Sequence, residues 1–189
     1  MAQVTEEHGN LDNINLGVFR SSSTVKGGRR FSFGSMVVVG DRRGKIGLGY
    51  AKSKEVPPAI EKATKDGKKR MERVTLLENT VPHETVGKSG ASIVRLIPAS
   101  PGTGIVAGAT VRAILEMAGV RDCLTKAYGS TNKKNLAKAT FDALRHLKSR
   151  EEIEARRGVT LGASATEEKV KPKNPGAPTK PAAPASTEA

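Results

Sequence analysis

The sequence predicts an α+β protein of two units, β-β-β-α and then β-α-β-α, followed by a disordered C-terminal tail. Three observations carry this. Apolar residues alternate at period two up to Tyr50, then recur at three- and four-residue steps, a switch from strand to helix. Strand and helix patterns start again after Pro82. From Gly158 onward Pro, Ala, Lys, Ser, Thr and Glu dominate, with five of the ten prolines between Pro172 and Pro184. Such a segment cannot bury enough apolar surface to offset its ordering entropy.

The elements follow in chain order. Residues 1–10 are expected to be flexible. Residues 11–80 form the first unit. Ile14 to Phe19 is a short apolar stretch, and Arg20–Arg30 is a basic loop. Phe31, Phe33, Val37 and Val39 share one strand face, as do Ile46, Leu48 and Tyr50, with Gly40-Asp-Arg-Arg-Gly44 as the turn between them. Val56, Ile60, Ala63, Gly67, Met71 and Val74 repeat at helical steps, which predicts a helix over Lys54–Arg73. Pro57 and Pro58 fit its first turn, where amide hydrogens lack partners anyway.

Residues 81–157 form the second unit. Ser92–Ile97 reads as a strand ended by Pro98, Ile105–Ala118 as a helix stopped by Gly119, and Val120–Tyr128 as a strand. Asn132–Leu147 is a helix with Leu136, Ala139, Thr140, Ala143, Leu144 and Leu147 on one face. Ser149-Arg-Glu-Glu152 is a capping box that opens a last short helix to about Arg157. Residues 158–189 are the tail.

Charge narrows the function classes. Lys and Arg total 32 against 19 Asp and Glu, a net of +13. The net is −3 over residues 1–16, +9 over 17–80, +7 over 81–150 and zero over 151–189. The excess therefore lies in the folded part, which points to a polyanionic partner. No apolar run approaches the roughly 20 residues of a membrane span. The acidic start, with no apolar stretch, is not a secretory signal. Cys123 is the only cysteine, which excludes an internal disulfide and a multi-cysteine zinc site, and three scattered histidines build no metal centre. No cofactor and no small-molecule substrate is expected.

The sharpest local feature is the Arg20–Arg30 segment. It holds Arg20, Lys26, Arg29 and Arg30 and no acid. Ser22 and its neighbouring hydroxyls can donate to phosphate oxygens, and Gly27 and Gly28 let the backbone approach closely. Lys65, Lys68 and Lys69, in the last turns of the first helix, and Lys133 and Lys134, in the first turn of a later one, are further phosphate candidates. Against each stands a plainer reading as a solvated charged face. Gly102-Thr-Gly-Ile-Val-Ala107 has the outline of a dinucleotide-binding turn, with Asp122 downstream. Pro98 and Pro101 lengthen the turn, and Asp122 falls near the start of its strand rather than the end, so this reading is rejected. What survives is a helix start able to offer amides to an anion. His8, His83 and His146 pair with no nucleophile at an informative spacing, so an enzyme is not expected.

Several collinear motifs then carry a resemblance. Arg20 with Thr24-Val-Lys-Gly-Gly-Arg29, Phe31-Ser-Phe33, Val38-Val-Gly-Asp41, Gly47-Leu-Gly-Tyr50 and Glu55-Val-Pro57 resemble the bacterial small-subunit ribosomal protein S-five family. So do Pro98-Ala-Ser-Pro-Gly-Thr-Gly-Ile105, Ala118-Gly-Val120 and Lys126-Ala-Tyr-Gly-Ser-Thr-Asn132. The resemblance covers residues 11 to about 158. It implies a double-stranded-RNA-binding-like first domain and a β-α-β-α second domain, with no catalytic role. It also implies binding to small-subunit ribosomal RNA at the head–body junction, in the cytoplasm and on the ribosome. Partners would be proteins S-four and S-eight and the mRNA on its path into the subunit, with an influence on decoding accuracy. The basic segment would reach into head RNA, and Gly102, Gly104 and Arg112 would face protein S-four. Ser21 and Ser23 stand where the family usually has Val and Lys. Two other readings stay open at this point: an RNA-binding module working off the ribosome, and a phosphotransfer enzyme built on the Gly102–Ala107 turn.

Overall fold

A computed structural model describes residues 11–158. The expected flexible start and proline-rich tail lie outside the described residues, Gly158 apart. The chain is α+β, as its patterning predicts. Two four-stranded sheets each carry helices, and one continuous apolar core runs between them.

The first sheet is antiparallel, with β1 (Asp12–Val25), β2 (Gly28–Gly40), β3 (Lys45–Ser53) and β4 (Met71–Arg73) in that order. Helix α1 (Val56–Lys69) lies on one face. Its buried residues are Ala59, Ala63 and Gly67, spaced at four, which makes a narrow stripe of small side chains. Opposite that stripe β3 carries Gly47 and Gly49; a Cβ on Gly49 would fall 1.9 Å from the Ala63 carbonyl oxygen. Helix and strand therefore meet backbone to backbone. Residues 36–40 of β2 are buried on both faces: Val37 and Val39 pack with Ala63, while Met36 and Val38 enter the shared core.

The second sheet has the order β5 (Thr85–Ser89), β6 (Ser92–Pro98), β8 (Cys123–Gly129), β7 (Ile105–Val106), with β7 parallel to β8. Helices α2 (Ala109–Ala118) and α3 (Lys133–Arg145) supply Val111, Ile114, Leu115, Met117, Ala137, Phe141 and Leu144 to the core. Helix α4 (Arg150–Arg157) opens on its capping box, with Ser149 Oγ accepting from Glu152 N at 3.2 Å. Gly119 ends α2 in the left-handed conformation, as its position predicts.

Four sequence expectations are corrected. The Arg20–Arg30 loop is a β-hairpin: β1 runs to Val25, and Lys26-Gly27 alone connects it to β2. Serine and threonine in a row hide strand periodicity, and cross-strand pairing supplies what apolar alternation lacks. The first helix stops at Lys69, and Met71–Arg73 joins the sheet beside Lys45–Gly47, so Met71 and Val74 share the helical period by coincidence. The helix expected at Ile105 begins at Ala109, because Ile105 and Val106 pair with Cys123 and Leu124. Strand β8 accordingly begins at Cys123, not Val120. Strand β5, given no span by the sequence, is an edge strand whose Gly87 packs against Ala139 and Ala143 of α3.

The two units are bonded to each other. At the 40–44 turn, Asp41 Oδ1 accepts from Arg43 N at 2.7 Å and Lys45 N at 2.9 Å, closing a tight local ring. Arg42 N and Gly44 N then donate to Met117 O and Ala118 O, the free carbonyls at the end of α2. Arg145 of α3 forks onto Glu72 of β4.

Candidate nucleic-acid interface

The basic hairpin is the extension of β1 and β2 beyond the part of the sheet covered by helix. Residues 13–40 contain no Asp or Glu. The register pairs Arg20 with Phe33, Ser22 with Phe31, Ser23 with Arg30 and Thr24 with Arg29. Directly opposed residues share a face. Arg20, Ser22, Thr24, Arg29 and Phe31 therefore lie on one side, and Ser21, Ser23, Val25, Arg30 and Ser32 on the other. Arg29 and Arg30, adjacent in sequence, point to opposite faces, with Lys26 at the tip. Of the two glycines, Gly28 holds φ +129, a conformation that disfavours any side chain, whereas a Cβ on Gly27 meets nothing within 4 Å.

Local contacts stiffen this arm. The Arg20 guanidinium stacks 3.8 Å from the Phe31 ring centroid, which fixes a planar cation on an exposed aromatic. On the other face Ser21 and Ser32 hydroxyls pair at 2.8 Å. Phe31 and Val25 stay 45% and 41% exposed, so the tip presents flat apolar surface between its charges. A cationic two-stranded ribbon of this kind can follow phosphates and stack on bases.

The other predicted lysines separate. Lys65, Lys68 and Lys69 are exposed near the end of α1, Lys69 at the rim of a cleft between the units. Lys133 is exposed. Lys134 is half-buried, its ammonium donating to Tyr50 Oη at 2.9 Å.

The Gly102–Gly104 turn is not at a helix start, since α2 begins five residues beyond it. It is an exposed loop braced from inside. Buried Asp122 accepts from Gly104 N at 2.8 Å, and Arg112 Nη2 donates to Ile105 O at 2.9 Å. Asp122 therefore has a structural partner in the position where a dinucleotide reading would need a ribose.

Sequence reasoning missed one feature. A cleft of about 580 Å³ opens between the units, lined by Lys69, Arg70, Lys88, Lys138 and Arg145 with Glu72 and Asp142. The Glu72 carboxylate beside Arg145 holds that guanidinium firmly protonated, raising its pKa. Lys88 and Lys138 are fifty residues apart and meet because Gly87 seats β5 on α3; no local pattern announces this. Among the described residues, no group of three His, Cys, Asp or Glu could hold a metal ion. Nor is any described helix long and apolar enough to cross a membrane.

Fold and surface together define an α+β protein whose first sheet projects an acid-free cationic hairpin and whose second unit is bonded to the base of that sheet. Residues 11–75 match the family described as Ribosomal protein S5, N-terminal domain, and residues 87–157 match Ribosomal protein S5, C-terminal domain. The small ribosomal subunit protein uS5 of Rhodopirellula baltica is 50% identical over 153 residues, 81% of this chain and 86% of that protein. Its namesake from Bifidobacterium adolescentis is 49% identical over 157 residues, 83% of this chain and 65% of that protein. The chain belongs to the ribosomal protein S5 family.

Proposed function

We propose that the chain is a structural constituent of the small ribosomal subunit, working on the ribosome in the cytoplasm and without catalysis. Its mechanism is positioning. The hairpin, through Arg20, Ser22, Lys26, Gly27, Gly28, Arg29 and Arg30, binds small-subunit ribosomal RNA at the head–body junction. Lys65, Lys68, Lys69 and Lys133 add phosphate contacts. The units at 11–80 and 81–157 act as two binding blocks, and the braced turn at Gly102–Gly104 with Arg112 faces protein S-four. Protein S-eight and the mRNA on its path into the subunit complete the surroundings, and decoding accuracy depends on the placement.

The observation that carries this reading is the acid-free hairpin with cations on both faces and at its tip. Family membership supplies the context in which folded RNA is the polyanion. The test is assembly in cells. Lys26→Glu combined with Arg29→Glu is expected to shift the protein from small subunits and polysomes to the top of a sucrose gradient. Normal incorporation of that double variant would overturn the hairpin's role. Crosslinks scattered over many RNAs by the unaltered chain would instead favour an RNA-binding module off the ribosome.

A further inference from the structure

We propose that Lys134 is a positioning residue rather than an RNA ligand: its ammonium plugs an aromatic cage at the root of the basic hairpin and so fixes the hairpin's angle to the second unit. This rests on the reading of the hairpin as the RNA-binding arm.

The cage is built from three strands. Phe19 comes from β1 and Tyr50 from β3, with β2 running between them. The residue opposite Phe19 is Gly34, where a Cβ would come 2.6 Å from Tyr50 Oη. Glycine there leaves room for the Tyr50 ring to lie across the sheet. Lys134 enters from the first turn of α3, its backbone N–H held by Asn132 Oδ1 at 3.1 Å. Its ammonium sits 4.6 Å from the Phe19 centroid and 4.5 Å from the Tyr50 centroid, and donates to Tyr50 Oη at 2.9 Å. The Phe19 ring, the phenol end of the Tyr50 ring and its hydroxyl oxygen together bind an ammonium well in a half-buried site. A cation so engaged is not free for a phosphate, unlike exposed Lys133 beside it.

Position gives the cage its effect. Phe19 immediately precedes Arg20, the first cation of the hairpin. Other bonds between the units lie elsewhere, at the 40–44 turn, at Glu72, and at Asn79 and Thr80. The arm from Arg20 to Val25 reaches about 20 Å, at roughly 3.4 Å per residue, so a small rotation at its root moves the tip by ångströms. Released from Lys134, the arm would still carry every charge but present them over a range of angles.

The test uses the full chain and separates cage from ligand. In the free protein, NMR should show one lysine with ε-methylene resonances displaced upfield by ring currents. Tyr50→Phe should keep most of that shift and Phe19→Leu should reduce it; ordinary positions for every lysine would overturn the proposal. With a small-subunit ribosomal RNA transcript, Lys134→Met should weaken binding about threefold or more while leaving the slope of log affinity on log salt unchanged. Removal of a true phosphate ligand, for which Arg29→Gln is the comparison, lowers that slope by about 0.7–0.9. A slope change of that size in Lys134→Met, or unaltered affinity, would overturn the positioning role. If Arg29→Gln also leaves binding untouched, the hairpin reading fails instead, and the ring-current shift still decides the cage.

Discussion

Gly49 of β3 and Ala63 of α1 touch through their backbones: a Cβ added to Gly49 would lie 1.9 Å from the Ala63 carbonyl oxygen and 2.5 Å from Gly67 N. This contact sets the distance of α1 from the sheet that the hairpin extends. Neither partner is the end of a flexible side chain, so neither can step aside. Gly49→Ala must push the helix off the sheet and is expected to cost about 3 kcal/mol, lowering Tm by roughly 6–12 °C. Gly27→Ala, with open space around it, should change stability by no more than about 0.5 kcal/mol. Thermal melts of both variants check this; equal Tm values would refute the packing argument.

The same contact shows what was legible in the sequence. Helix α1 and strands β2 and β3 were readable because Val37, Val39, Ile46, Ala63 and Gly67 keep the period of their element. Caps were readable too, at Gly119 and Ser149, since capping is local chemistry. What failed had no local signal. Ser21, Ser22, Ser23 and Thr24 are strand only because β2 lies beside them. Ile105 and Val106 are strand only because β8 does. The family motifs and the acid-free run of cations from Arg20 to Arg30 could be found from sequence; the hairpin they ride on, the aromatic seat of Lys134 and the cleft around Lys88 and Lys138 depend on contacts the local pattern does not announce.

Arg29 and Arg30 face opposite sides of the hairpin. If RNA surrounds the arm, as the proposed function requires, each contributes its own phosphate contact. Arg29→Gln and Arg30→Gln should each reduce the salt slope of RNA binding by about 0.7–0.9, and the double variant by the sum. Filter-binding titrations across salt concentrations check this. A slope change in only one of the two would place the RNA on a single face.

Asp122 braces the Gly102–Gly104 turn from a site 6% exposed, with its Oδ1 accepting from Gly104 N at 2.8 Å. Asp122→Ala leaves that amide without its acceptor and should cost about 1–3 kcal/mol. The first consequence is local: hydrogen exchange at the Gly104 amide should accelerate well before global unfolding. Asp122→Asn retains a carbonyl oxygen and should protect that amide better than alanine does. Equal exchange in all three proteins would show that the turn does not depend on this bond.

Cys123 gives the fold a pH dependence whose sign can be worked out. Burial within the core pushes its thiol up to about 11 from an ordinary 9.0, and its S–H points at Ile97 O at 3.4 Å. Between those values the unfolded chain has released the thiol proton and the folded chain still holds it. Stability that is fully present below pH 9.0 is therefore lost as pH rises towards 11. The loss by pH about 10.5 is about 2 kcal/mol. Lysines and tyrosines titrate in the same range, so the contribution is read as a difference. Urea unfolding of the unaltered chain and of Cys123→Ala should give a stability gap that shrinks by about 2 kcal/mol between pH about 8 and about 10.5. A constant gap would mean that the thiol ionises as easily inside the protein as outside, and that the β6–β8 seam admits water where its packing excludes it.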